Sequence, residues 1–249
     1  MPLETAVTDV TVRLREGKYP NEQAISVGIV LRFLAELGWD SWDATSIWPE
    51  YQTGEGRADF AICHPPSKPA ILIEVKQPGK AEEAVRQALE YAFHTGVPLV
   101  VLTDGQTWSF YLPAEQGSYD DRRVYKLDLF ERTSAEAAVI LRRYLERKQV
   151  ESGQSLEMAR TEYRNRNRRA QAHAAIPHVW EELVEKGEES LVELLAGAVE
   201  SKTGVRPEED DVAEFLVGLR ANSPKSPTVS PVRPAAPAAT MAPQLSKRN

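Results

Sequence analysis

The sequence predicts an α/β domain, a mixed β-sheet flanked by helices, followed by a small all-helical region and a disordered tail. Over the first 148 residues the apolar positions run at helical spacing, then in short β-type runs broken by one amphipathic stretch, then at helical spacing again. From about residue 155 only helical spacing remains. From Ser223 the chain is rich in Pro, Ala and Ser with almost no aliphatic content, so it cannot bury enough surface to offset its ordering entropy. The expected divisions are 1–150 for the sheet domain, 151–222 for the helical region and 223–249 for the tail.

Taken in order, residues 1–20 read as a short polar helix that breaks at Tyr19-Pro20. Asn21 caps a second helix, whose Ile25, Ile29, Val30, Phe33, Leu34 and Leu37 recur on one face and whose end is Gly38. A strand is expected around Ala44–Tyr51, then a turn at Thr53–Gly56. Two more strands follow, Ala58–Cys63 and Ala70–Lys76, around a loop with Pro65, Pro66 and Pro69. Pro78-Gly79 stops the second of these, and a helix from Lys80 to Thr95 closes at Gly96. Val97–Leu102 and Thr107–Leu112 form a hairpin about Asp104-Gly105, and Arg123–Leu129 adds a strand. Thr133-Ser134-Ala135-Glu136 is a capping box opening a helix to Lys148. Beyond it lie an Arg-rich helix, Leu156–Ala175, a new helix opened by Pro177, and two more at Leu191–Ser201 and Asp210–Arg220. Trp180 and Phe215 are expected in the core of these helices, and Trp39, Trp42 and Trp48 beneath the sheet.

Composition limits the function classes. The net charge of −7 argues against a general nucleic-acid coat, which needs excess Lys and Arg, but not against an enzyme that grips DNA locally. The single cysteine, Cys63, excludes an internal disulfide and an all-Cys zinc site. The four histidines show no metal-ligand spacing. The N-terminus has no apolar signal region and no apolar run is long enough to span a bilayer, so the expectation is a cytoplasmic protein with no membrane partner.

The chemistry gathers at Gly56-Arg57-Ala58-Asp59 and Ile73-Glu74-Val75-Lys76. Glu74 and Lys76 are two apart on one strand, so their side chains leave the same face. A hairpin symmetric about the Pro66–Ser67 bond sets Asp59 directly opposite Glu74. Two facing carboxylates repel, and Glu74 interrupts an apolar run where an unpaired charge is costly. A hard divalent cation answers both problems: Mg²⁺ takes one or two carboxylates plus oxygen ligands, here with the Val75 carbonyl completing the protein's share. Lys76 then stands where it can orient a nucleophile or stabilise charge on a phosphoryl group. By itself a Glu-x-Lys on a strand more often marks an ion pair. Gln87 and Tyr91 share one face of the next helix, and Glu22 is a first-turn acid.

In combination these features resemble the N-terminal endonuclease domain of the type I restriction enzyme R subunit, of the PD-(D/E)xK nuclease superfamily. The resemblance runs from Asn21 to Leu112: Glu22 and Leu37-Gly38-Trp39-Asp40, then Gly56–Asp59, Ile73–Gly79, Gln87-x-x-x-Tyr91, and Leu102–Tyr111. It implies a restriction-endonuclease-like fold, with Asp59 and Glu74 as metal ligands, Lys76 as the catalytic lysine and Glu22 as an auxiliary acid. Gln87 and Tyr91 would support the site and contact DNA. Asp104 stands where the family has an asparagine, a difference that a turn tolerates.

The implied activity is Mg²⁺-dependent DNA endonuclease chemistry in restriction or defence, with Mn²⁺ as the alternative ion. No Gly-x-x-x-x-Gly-Lys-Ser/Thr occurs, so the chain holds no ATP site, and a motor or modification subunit would be a separate partner. Arg160, Arg164 and Arg168 lie in a run of five arginines suited to DNA backbone contact, the alternative being a solvated face paired with Glu157 and Glu162. The acidic C-terminal helices suit an interaction or homo-oligomer unit. The contrasting reading is a non-catalytic DNA-binding or protein-interaction module that keeps the fold.

Overall fold

The computed structural model describes residues 2–53, 56–80 and 84–220. It shows a six-stranded mixed sheet with flanking helices, followed by helices alone: the α/β architecture expected. The strands β1 (Ile47–Gln52), β2 (Arg57–Cys63), β3 (Pro69–Val75), β4 (Leu99–Thr103), β5 (Thr107–Tyr111) and β6 (Arg123–Asp128) lie side by side in chain order. Only β3 and β4 are parallel, because the connection between them is the crossover helix α4 (Val85–Thr95) rather than a tight turn.

Each face of the sheet buries a different set of side chains. Ile62, Ile71, Ile73, Val101 and Phe110 face α1 (Leu3–Arg15) and α6 (Ser134–Leu145), with Phe33 stacked on the fully buried Trp108 at 5.7 Å. Ala61, Cys63, Leu72, Val100 and Leu102 face α4. The N-terminal helix is less polar than its sequence suggests. Leu3, Ala6, Val7 and Val10 are buried, and Glu4 grips Arg142 of α6 through two bonds of 2.8 and 3.0 Å. The helix after Asn21 is continuous but not uniform. It runs as α2 (Glu22–Ile25), a π-helical turn (Ser26–Val30) and α3 (Leu31–Glu36). The Thr133–Glu136 capping box forms as expected. Two short helices, α5 (Tyr119–Arg122) and α7 (Arg147–Glu151), were not foreseen, since neither is long enough to display a period.

The chain divides into two compact units at Ala170/Gln171. That division falls within α8 (Gln154–Glu185), which corrects the expectation that Pro177 opens a new helix. A proline inside a helix loses one hydrogen bond and crowds the carbonyl four residues back, at a cost of about 3 kcal/mol. The strong helix formers on both sides, among them Ala172, Ala174, Ala175, Glu181 and Leu183, carry the helix through it.

In the second unit α9 (Glu189–Thr203) and α10 (Glu209–Arg220) gather a small core of Val184, Val192, Ala196, Val212 and Leu216. Trp180 and Phe215 do not join it. They remain 44% and 58% exposed. Of the three tryptophans expected beneath the sheet only Trp39 is buried, its indole N–H bonded to the Leu145 carbonyl at 2.7 Å. Trp42 is almost fully exposed, and Trp48 stands partly exposed, edge-on to Tyr51. The tail assigned to 223–249 lies outside the described residues.

Candidate metal centre

From Ile62 toward Asp59 the β2–β3 ribbon has the register expected of a hairpin centred on the Pro66–Ser67 bond, while next to the loop it shifts by one, Cys63 pairing with Pro69. Phe60 pairs with Ile73, Ala61 with Leu72 and Ile62 with Ile71. One step further along the same register, Asp59 comes opposite Glu74. The two carboxylates are cross-linked through the backbone: Asp59 Oδ2 accepts from the Val75 N–H at 2.6 Å, and the Glu74 carboxylate accepts from the Asp59 N–H. Lys76 lies one residue beyond the end of β3, anchored by its own N–H to the Thr103 carbonyl at 2.8 Å, and its Nζ donates to Glu74 Oε1 at 2.6 Å. Both side chains of this ion pair are largely shielded, with 16% of Glu74 and 24% of Lys76 exposed.

The electrostatics follow from that shielding. Burial pushes the Glu74 carboxyl above the ordinary range; the bond from Lys76 opposes the shift and the Asp59 charge adds to it. Burial also raises Asp59, opposed by the Val75 N–H and Lys76 and reinforced by Glu22 and Glu50. Lys76 is pulled down by desolvation, yet Glu74, Glu22 and Asp59 outweigh this and hold it above its usual value. One ammonium therefore faces two carboxylates that resist ionising together, a site short of positive charge. Among the described residues no three His, Cys, Asp or Glu side chains converge as a metal-holding group. The carboxylate pair leaves further oxygens to come from backbone, solvent or substrate, which fits a hard cation such as Mg²⁺.

Glu22, the first residue of α2 behind the Asn21 cap, is near enough for its charge to act on both Asp59 and Lys76. Gln87 and Tyr91 meet on α4, where the Gln87 amide donates to the Tyr91 hydroxyl. The Tyr91 ring lies against Gly56 so closely that a Cβ there would sit 1.9 Å from the ring. The glycine is thus what lets α4 approach the start of β2. Arg160, Arg164 and Arg168 are exposed on α8; Arg160 pairs with Glu157 at 3.1 Å and Arg164 bonds to Thr161 at 3.3 Å. Arg166 leaves the basic run and donates to the carbonyls of Asp120, Asp121 and Arg123.

Two residues matter here in ways that the sequence reading did not foresee. Asp104 is 3% exposed, and its carboxylate accepts from Gln106 and Thr107 through Oδ1 and from Gly79 through Oδ2, at 3.1, 2.7 and 2.8 Å. It clamps the segment that follows Lys76 onto the β4–β5 turn. An asparagine would aim its amide N–H₂ at one of these N–H groups, so the carboxylate is the better acceptor. The turn dipeptide Asp104-Gly105 signalled the turn but not the long-range bond. Glu50 falls opposite Asp59 in the β1–β2 register, has φ of +54°, and pairs with Arg57. A non-glycine residue in the left-handed region costs about 1 kcal/mol or more, and no local pattern in the sequence announces it.

With this geometry in place, the comparison with known families becomes specific. Residues 46–121 match the family model of the type I restriction enzyme R protein N terminus. This segment is similar to that domain. The match extends from β1 into α5 and so contains Asp59, Glu74, Lys76, Gln87, Tyr91 and Asp104, while Glu22 precedes it. No curated protein and no solved structure matches the chain. Among the described residues no helix is long and apolar enough to cross a membrane.

Proposed function

We propose that the protein is a divalent-metal-dependent DNA endonuclease that hydrolyses phosphodiester bonds with Asp59, Glu74 and Lys76. One observation carries the reading: two shielded carboxylates face each other across the β2–β3 ribbon with an ammonium on one of them, inside the matched segment. Asp59 and Glu74 would hold Mg²⁺ or Mn²⁺ together with the Val75 carbonyl, and the ion supplies Lewis acidity at the scissile phosphate. Lys76 would offer its N–H donors to the charge that builds on the phosphoryl oxygens. Asp59 and Glu74 stay anchored by backbone N–H groups, so their orientation does not depend on substrate. Glu22 adds negative charge at the rim and keeps Lys76 protonated. Gln87 and Tyr91 brace the Gly56 turn and border the DNA path. Exposed Arg160 and Arg164, with Arg168, give flanking phosphate contacts. The partners are DNA, a separate ATP-driven motor or modification subunit, and a second copy of the chain through the C-terminal helices.

The test is nicking of supercoiled plasmid by the purified chain with Mg²⁺ or Mn²⁺, beside Glu74→Ala and Lys76→Ala. Each substitution should lower the rate by about 10²-fold or more, with the melting curve showing a folded protein. DNA binding without nicking by all three proteins would instead support a non-catalytic module.

A further inference from the structure

We propose that Arg57 contacts a DNA backbone phosphate at the β2–β3 site, held by Glu50 in the free protein and passed to the phosphate on binding. The proposal rests on the nuclease reading and adds to it the group that receives the strand beside the ion. Arg57 and Asp59 are two apart on β2, so their side chains leave the same face. Burial along the strand agrees, since both are accessible while Ala58 and Phe60 are buried. Arg57 therefore stands one side-chain position out from a candidate metal ligand.

The charge at the site calls for it. Glu22, Glu50 and Glu74 all act there together with Asp59, and Lys76 is already bonded to Glu74. Four carboxylates repel a phosphodiester, and one divalent ion with one ammonium does not offset them. Arg57 brings the further positive charge. It brings it as a planar fork that matches two phosphate oxygens at once.

Its present partner is arranged to give it up. Glu50 falls opposite Asp59 in the β1–β2 register and Arg57 opposite Gln52, so the Glu50–Arg57 pair runs diagonally across the two strands. Both side chains are more than half exposed, at 56% and 59%, and such a pair contributes no more than about 1 kcal/mol. A bidentate, charge-assisted contact to phosphate is the stronger of the two.

Glu50 itself is not placed by chance. Its φ of +54° breaks the alternation of β1. Trp48 and Tyr51, three residues apart, would point to opposite faces of a regular strand, yet their rings meet edge-on at 5.5 Å. The left-handed residue and the aromatic contact go together. Strain of this kind persists where the surroundings over-determine it, and here it sets a carboxylate at the rim of the site, within reach of Arg57.

The experiment measures binding of the full chain to a duplex oligonucleotide over a salt series, with Ca²⁺ in place of Mg²⁺, and scores nicking separately. Arg57→Ala should raise the Kd by about 10-fold and reduce the slope of log Kd against log salt by about one. Arg57→Lys should restore the slope but only part of the affinity, because a point charge replaces a fork. Glu50→Gln should tighten binding, since Arg57 loses its competitor. The double variant should stay weaker than the parent. Both positions are exposed, so the melting curves should match. Four results would overturn the proposal: a salt slope that Arg57→Ala leaves unchanged; a Glu50→Gln variant that binds more weakly than the parent; a double variant as tight as the parent, which would make Arg57 only the neutraliser of Glu50; or a parent chain that binds no DNA. Binding governed by Arg57 without nicking would keep this contact and remove the nuclease reading, and nicking with an idle Arg57 would do the reverse.

Discussion

The two units of the molecule break opposite rules of burial. In the first, both faces of the sheet are covered by helices, and the anomaly is polar: Glu74, Asp59 and Lys76 held in shielded positions. In the second, the core is a handful of small aliphatic residues, and the anomaly is apolar: Ile176, Val179, Trp180, Leu194 and Phe215 left facing solvent. A shielded charge costs free energy unless something binds it, and an exposed apolar row costs free energy unless something covers it. The contrast teaches that the two units break the rule of burial with opposite chemistry; on the proposed reading the first would receive a cation and a phosphate.

The widest gap between the units should appear on truncating an aromatic in each. Trp108→Ala removes a fully buried ring stacked on Phe33 and should cost about 3–5 kcal/mol of stability in chemical denaturation. A loss below 1 kcal/mol would mean that the first unit is not packed as described. Asp104→Asn tests the clamp behind Lys76. Turning one acceptor into a donor beside the N–H groups of Gly79, Gln106 and Thr107 should cost about 1–3 kcal/mol. It should also slow nicking, and a variant as stable and as active as the parent would show the clamp to be idle.

A pH series sharpens the polar side of the contrast. Burial raises Glu74 and Asp59, so in this window the metal-free native state binds more protons than the unfolded chain. Their contribution to stability therefore falls as pH rises from the ordinary carboxylate range through the raised values. Glu74→Gln should accordingly gain in melting temperature over the wild type as pH rises toward neutrality, and added Mg²⁺ should reverse the order by stabilising only the wild type. A difference that does not change with pH would remove the desolvation argument. The smallest effect belongs to the second unit: Phe215→Ser, at a 58% exposed position, should change stability by no more than about 0.5 kcal/mol. A larger loss would show that Phe215 is covered after all.

Much of this was legible along the chain. The Asn21 cap, the Thr133–Glu136 box and the Asp104-Gly105 turn are local chemistry, satisfied within a few residues of backbone, and each appeared where its residues stand. The Asp59–Glu74 register was read from a hairpin centred on the Pro66–Ser67 bond, and it holds from Ile62 on although the ribbon shifts by one at Ile62/Cys63 beside the loop, an irregularity that no count along the sequence reveals. Trp180 and Phe215 were misread because apolarity says that a side chain gains from burial, not that a neighbour is present to bury it. Pro177 was misread because a local penalty of a few kcal/mol does not reveal how much helix stands on either side of it.

By itself, then, the order of residues determined the element types, the strand pairing around the acidic pair and the residue types at the site, since each depends on short-range periodicity or on a symmetric turn. Only the tertiary structure decided that Asp104 reaches Gly79, that Glu50 is held at +54° opposite Asp59, and that Ile176, Val179 and Trp180 stay exposed. Those facts depend on which distant segments come to lie together, and packing sets that through contacts that no local window of sequence contains.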